Sequence, residues 1–245
     1  MNYVSKIYWS FAAAVIVSIC WLIGDIFVAG FDPDPAGYPL FSKTYADQLD
    51  VEFAILMLEG SAPRLMFGAL IGALSGPLLL PATWLVYQFF KDTQKWYAVA
   101  VYWVLLAGAV LSPLGHAGFF YVGEIYKAVY HTDAASHPYL LETGRDFMKM
   151  LNIAWGTAIG VLALGWISFA VCILLNKTLL PRWMALLTPF VLTMFIIPIK
   201  NILPLPYSGW VGGAIFNIAY LIFFSSLLLL FRKKPVEKSE ILDVC

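Results

Sequence analysis

The sequence predicts an all-α, polytopic membrane protein: a single bundle of six transmembrane helices with both termini cytoplasmic. Three observations carry this. Hydrophobic residues make up 61% of the 245-residue chain and charged residues only 12%, against roughly 45–50% and 25% in soluble domains. Mean hydropathy is +0.81. Apolar runs recur six times at the length of about 20 residues that a helix needs to cross a hydrocarbon core of roughly 30 Å.

The first run covers 7–31. A cleaved signal peptide has an apolar region of about 7–15 residues; this run is longer and contains Trp21 and Asp25, so it is expected to stay in the mature chain. The polar stretch 32–64 follows, with "DPDPAGYP" and then "YADQLDVEFAILMLEG", whose apolar part is too short to cross and reads as a short interfacial helix. The second span, 65–90, places Gly68, Gly72 and Gly76 four residues apart ahead of Pro77 and Pro81. Such a flat stripe lets another helix approach closely. A contact within the chain is the first expectation, and a homodimer through Gly68, Gly72 and Gly76 the competing one.

The third span, 96–125, ends in "SPLGHAGFFYVGEIYK". The fourth, 147–175, carries Asn152 near its start and Gly156 and Gly160 beyond it. The fifth, 183–203, holds Pro198 and Lys200 before an "LPLP" break. The sixth, 210–231, begins at Trp210 and includes Gly213 and Asn217. Residues 1–231 form one domain on this reading, and 232–245 a short cytoplasmic tail.

Orientation follows the distribution of lysine and arginine between loops. The 15 basic and 15 acidic residues divide into a net +5 on the side of the termini and −5 on the opposite side, which predicts a multi-pass protein of the cell membrane, N-in and C-in. No basic stripe suggests nucleic acid. Cys20 and Cys172 lie within spans and Cys245 ends the sequence, so there is no disulfide framework. The familiar hydrolase, zincin and nucleotide-binding motifs are absent. "HTDAASH" offers His131, Asp133 and His137 at a weak spacing for zinc, so neither metal nor cofactor is expected.

The intramembrane polar residues lie in the outer half of the bundle. Measured along each span at 1.5 Å per residue, Asp25, His116, Lys200, Asn152 and Asn217 fall there, and so do Pro113, Pro198, Pro204 and Pro206. Charged side chains in hydrocarbon are costly and usually face an interior cavity with partners, and loosened backbone is tolerated where it lines such a cavity. Glu124 lies eight residues past His116, about 12 Å up the axis, so the two cannot meet in an unbroken helix; Asp25 is the expected partner of His116 or Lys200, and Arg64, Arg145 or Lys149 of Glu124.

The "GD" of span one, the "SPLGHAGFFYVGE" stretch and the "PLP" break before a glycine-rich span with Asn217 resemble a family of uncharacterised prokaryotic six-helix integral membrane proteins. The resemblance implies a fold and no activity.

The expected function is a pocket open to the outer leaflet of the inner membrane that binds or modifies a lipid or other amphiphile. His116 would act as base with Asp25 and Glu124 as orienting carboxylates. Lys200 would anchor an anion, Asn152 and Asn217 would contact ligand, and Trp21, Phe119, Phe120 and Trp210 would line the apolar part. A small-molecule transporter or channel, and an accessory or scaffold protein, are the alternatives.

Overall fold

The computed structural model describes residues 2–233, and the expected tail beyond Lys233, with Cys245, lies outside the described residues. Most of those residues are helical, with one isolated bridge between Phe90 and Thr178 and no strand among them.

Helix α1, Tyr3–Ala29, starts where the Asn2 carboxamide oxygen accepts the Ser5 N–H at 2.8 Å, satisfying one of the orphan donors of a first turn. Helix α2, Val51–Glu59, is capped in the same way by Asp50. The second span is broken: α3, Ala62–Ser75, passes through a 3-10 turn, Gly76–Leu78, into α4, Leu79–Tyr87. Pro77 has no N–H to donate, and the Gly76 N–H bonds the Ala73 carbonyl. The Gly72 carbonyl, at this break, accepts the Ser75 hydroxyl at 3.3 Å.

Helices α5, Trp96–His131, and α6, His137–Leu174, are the longest, at 36 and 38 residues. At 1.5 Å per residue they measure roughly 54 and 57 Å, some 25 Å more than a hydrocarbon core. Both helices therefore continue beyond the spans read from hydropathy, 96–125 and 147–175, into the polar residues near the hairpin. Helix α6 ends in a Schellman motif: Asn176 takes φ 57°, its N–H reaches the Ile173 carbonyl and the Lys177 N–H that of Cys172.

The fifth apolar segment is also shorter than expected as continuous helix. A 3-10 segment, Arg182–Leu187, precedes α7, Pro189–Lys200. Helix α8, Tyr207–Gly213, and α9, Ile215–Lys233, complete the chain. Five helical segments are long and apolar enough to cross a membrane, whereas Pro189–Lys200 is a shorter apolar helix. Large apolar side chains point outward along them, among them Leu74, Val110, Leu164 and Leu229. With no water in hydrocarbon, such surfaces are favourable there and a liability elsewhere. The molecule is a membrane protein.

Packing is in two tiers. One core unites α1, α4, α5, α6 and α9 around Phe11, Leu85, Leu105, Phe169 and Phe223. The second lies toward the α5–α6 hairpin, where Phe41, Ile55 and Met57 of the 32–61 segment pack on Val122, Tyr126, Val129 and Leu141. His137 locks this second tier: its Nε2–H donates to the Thr132 carbonyl at 2.9 Å, which leaves Nδ1 to accept the Tyr45 hydroxyl at 2.7 Å. Both ring nitrogens of the "HTDAASH" histidine are thus occupied by the fold. Among the described residues no group of three metal-ligating side chains comes together.

Candidate functional site

Glycines set the geometry of the site. A Cβ on Gly24 of α1 would stand 2.9 Å from the Gly68 carbonyl oxygen, and one on Gly68 would stand 2.6 Å from that of Gly24. The two helices therefore cross with backbone against backbone. A Cβ on Gly76 would meet Pro113 at 2.7 Å. The stripe Gly68, Gly72 and Gly76 is used up within the chain, against α1 and α5.

This close approach brings Trp21 to the break in the second span. Its indole Nε1–H donates to the Gly72 carbonyl at 2.9 Å, beside the Ser75 hydroxyl. The Trp21 ring in turn lies 4.8 Å from the His116 ring, centroid to centroid, and His116 also packs on the bare Cα of Gly72.

Asp25, one turn beyond Trp21, completes the arrangement. Its Oδ1 faces His116 Nδ1 at 3.4 Å, and its Oδ2 accepts the Asn217 amide at 2.5 Å. Side-chain exposure is 11% for His116 and 21% for Asp25, and Asn217 is buried. Trp21 and Asp25 of α1 and Gly72 of α3 thus surround the His116 ring of α5, and Asn217 of α9 reaches it through Asp25. A carboxylate at Nδ1 favours the tautomer with its proton on that nitrogen. Nε2, which has no hydrogen-bond partner among the described residues, is then the basic edge.

His116, Asp25, Trp21 and Asn217 line a cavity of about 530 Å³. Its lining also includes Lys200, Phe119 and Asn152, together with Asp32 and Glu52. Lys200 makes no ion pair among the described residues, and its stem fits against Gly212, where a Cβ would come within 2.8 Å of Cε. Asp32 accepts the Ser208 hydroxyl at 3.2 Å. Trp166 and Tyr220 lie deeper, joined by a 2.6 Å bond from the indole Nε1–H to the hydroxyl oxygen, and Phe169, Phe223 and Phe224 pack around them.

Three expected residues stand elsewhere. Glu124 accepts Lys127 Nζ at 3.1 Å one turn along its own helix, because α5 continues unbroken and carries it beyond His116. Its partner is neither Arg64, which donates to the Ile26 carbonyl at 3.1 Å, nor Arg145 or Lys149. Phe120 turns to Tyr121, and Trp210 is exposed beside Tyr207; neither lines the cavity. Trp166, Tyr220, Asp32 and Glu52 do line it and were not anticipated. The indole N–H and phenol O–H within apolar helices were the available signal for the first two, since such groups seek a partner when buried.

The chain belongs to a family of unknown function, DUF6796, which matches residues 1–234. No curated protein and no solved structure matches it. The match extends over nearly the whole sequence, as the resemblance read from its motifs did.

Proposed function

We propose that the protein crosses the cell membrane six times, with both termini cytoplasmic, and holds a lipid or other amphiphile in a pocket open toward the outer leaflet. The observation that carries this is the convergence of His116, Asp25 and Asn217 at the polar end of a 530 Å³ cavity whose deeper walls are aromatic. A polar head at one end and apolar walls at the other suit a ligand with the same asymmetry.

The fifth crossing, 182–200, is the one made of two short pieces. Arg182–Leu187 at about 2.0 Å per residue and Pro189–Lys200 at about 1.5 Å add to roughly 30 Å. Buried Met184, Ala185 and Thr188 at the junction support a break shielded by protein, as backbone at membrane depth requires. Orientation rests on the basic excess of the cytoplasmic loops.

In this reading His116 Nε2 takes a proton from a hydroxyl or water of the bound molecule, while Asp25 orients the ring and steadies the imidazolium. Lys200 anchors an anionic group, and Asn217 holds Asp25 in place. The aromatic floor at Trp166 and Tyr220 supports a blind pocket over a conduit, and the internal use of the glycine stripe weighs against a scaffold built on it.

Mass spectrometry of lipids and small molecules retained by the purified protein tests the proposal. Wild type is expected to carry a characteristic amphiphile that H116A and D25N retain poorly. Equal retention by all three proteins would remove the pocket as a ligand site.

A further inference from the structure

A second concave surface lies beside the mouth of the cavity. It is an open groove lined by Leu49, Asp50, Tyr126, Arg145, Met148, Lys149, Asn152 and Ile153, and Asn152 lines both it and the main cavity. Arg145 and Lys149 are four residues apart on α6 and so share a helix face. Both are exposed, and neither makes an ion pair among the described residues, although Glu142 and Asp146 stand three residues before them on the same helix. The groove takes in the two cations and leaves those two carboxylates out. One carboxylate, Asp50, is present, and its Oδ1 is engaged by the Phe53 N–H at 3.1 Å.

Tyr126 supplies the independent sign of a ligand. Its side chain is 2% exposed, wedged against Phe41 and below Gly144, yet it lines the groove and its hydroxyl has no hydrogen-bond partner among the described residues. The hydroxyl itself is not closed off from solvent, so it is free to donate to a molecule in the groove.

The level in the membrane narrows the choice of ligand. Lys149 lies 25 residues from the Leu174 end of α6, roughly 38 Å along the axis, just past a hydrocarbon core of about 30 Å and within the head-group layer. Phosphoryl oxygens occupy that layer, and a guanidinium, an ammonium and a phenol together supply the several donors that a phosphoryl group accepts.

We infer that Arg145, Lys149 and the Tyr126 hydroxyl form a binding site for an anionic phosphoryl group. Its connection through Asn152 to the main cavity suits an amphiphile whose phosphoryl group lies in the groove while the adjoining polar atoms reach the His116 end of the cavity and the tail its aromatic walls. This last step rests on the pocket reading, whereas the anion contact does not.

Titration calorimetry on the full chain in a neutral maltoside micelle tests the site, with dihexanoyl phosphatidic acid, dihexanoylglycerol and inorganic phosphate as probes. R145Q/K149Q, at exposed positions that leave the fold intact, is expected to weaken phosphatidic acid by about tenfold or more, and Y126F by a smaller factor. Dihexanoylglycerol should bind both proteins alike. Tighter binding of phosphatidic acid than of inorganic phosphate assigns the site to a lipid head; equal affinities, both lost in R145Q/K149Q, assign it to a soluble phosphoryl group. No binding of either phosphoryl probe to wild type, or equal binding by wild type and R145Q/K149Q, overturns the inference. Failure of dihexanoylglycerol to bind at all would count against the cavity alone.

Discussion

His116 packs directly on Gly72: a Cβ added to that glycine would stand 2.7 Å from Nδ1 and 2.8 Å from Cγ of the imidazole. The contact is with a ring held by Asp25 on one edge and Trp21 on one face, so the histidine has little room to yield. Gly72→Ala is expected to cost about 1–3 kcal/mol, the range of overpacking in a filled site, and to push Nδ1 away from Asp25. Gly160→Ala is the control, because nothing lies within 4 Å of a Cβ built there. Thermal unfolding in detergent should separate the two substitutions clearly. Equal melting temperatures would mean that the glycine is not what seats the histidine.

Asp25 has one amide donor and one imidazole facing it. Removing the amide by Asn217→Leu leaves a largely buried carboxyl with a single partner, which costs about 1–3 kcal/mol or more if the group is charged. In a D25N background the same substitution should cost less, and a double-mutant cycle reads the difference as a coupling between the two positions. Additive losses would show that Asn217 acts through packing alone.

Much of this site was legible in the sequence because intramembrane polarity is rare. Asp25, His116 and Asn217 stand out in apolar runs, and counting rise along each helix put them at a similar depth. Periodicity within one helix cannot say which neighbours it meets, so the pairing of Asp25 with Asn217 and the seating of His116 on Gly72 needed the assembled bundle. Glu124 shows the same limit: its place beyond His116 followed from spacing, but not that it would settle on Lys127. The second tier was hidden for another reason. The helices α5 and α6 outrun the membrane, and a hydropathy reading stops where polar residues begin even though the helix does not.

The second tier has its own small core, with Ile55 and Met57 fully buried. Truncating either to Ala is expected to cost about 2–5 kcal/mol locally, and the loss should fall on the 32–61 segment rather than on the inner core. Limited proteolysis is the suitable measurement, since cleavage reports opening of the affected unit. I55A should be cut within 32–61 far faster than wild type while the melting transition of the remaining helices moves little. Unchanged cleavage would show that this tier is held mainly by the Tyr45–His137 and backbone contacts.

The floor of the cavity decides between a blind pocket and a passage. Trp166 and Tyr220, joined by a 2.6 Å hydrogen bond, line the deeper part of the cavity, and Phe223 is buried against Trp166. A layer of aromatic rings whose one hydroxyl is already engaged by an indole gives an ion or proton few partners, and a charge within it faces a cost of several kcal/mol. Wild-type protein in liposomes should therefore leak no more protons or small cations than protein-free vesicles. Y220F removes only the hydroxyl and should cost about 1 kcal/mol of stability without opening a path. W166A removes the ring that fills the floor; where it still folds, it is the variant expected to leak. Wild-type flux above the vesicle background, abolished by substitutions at Asp25 or His116, would make the site part of a conduit and end the blind-pocket reading.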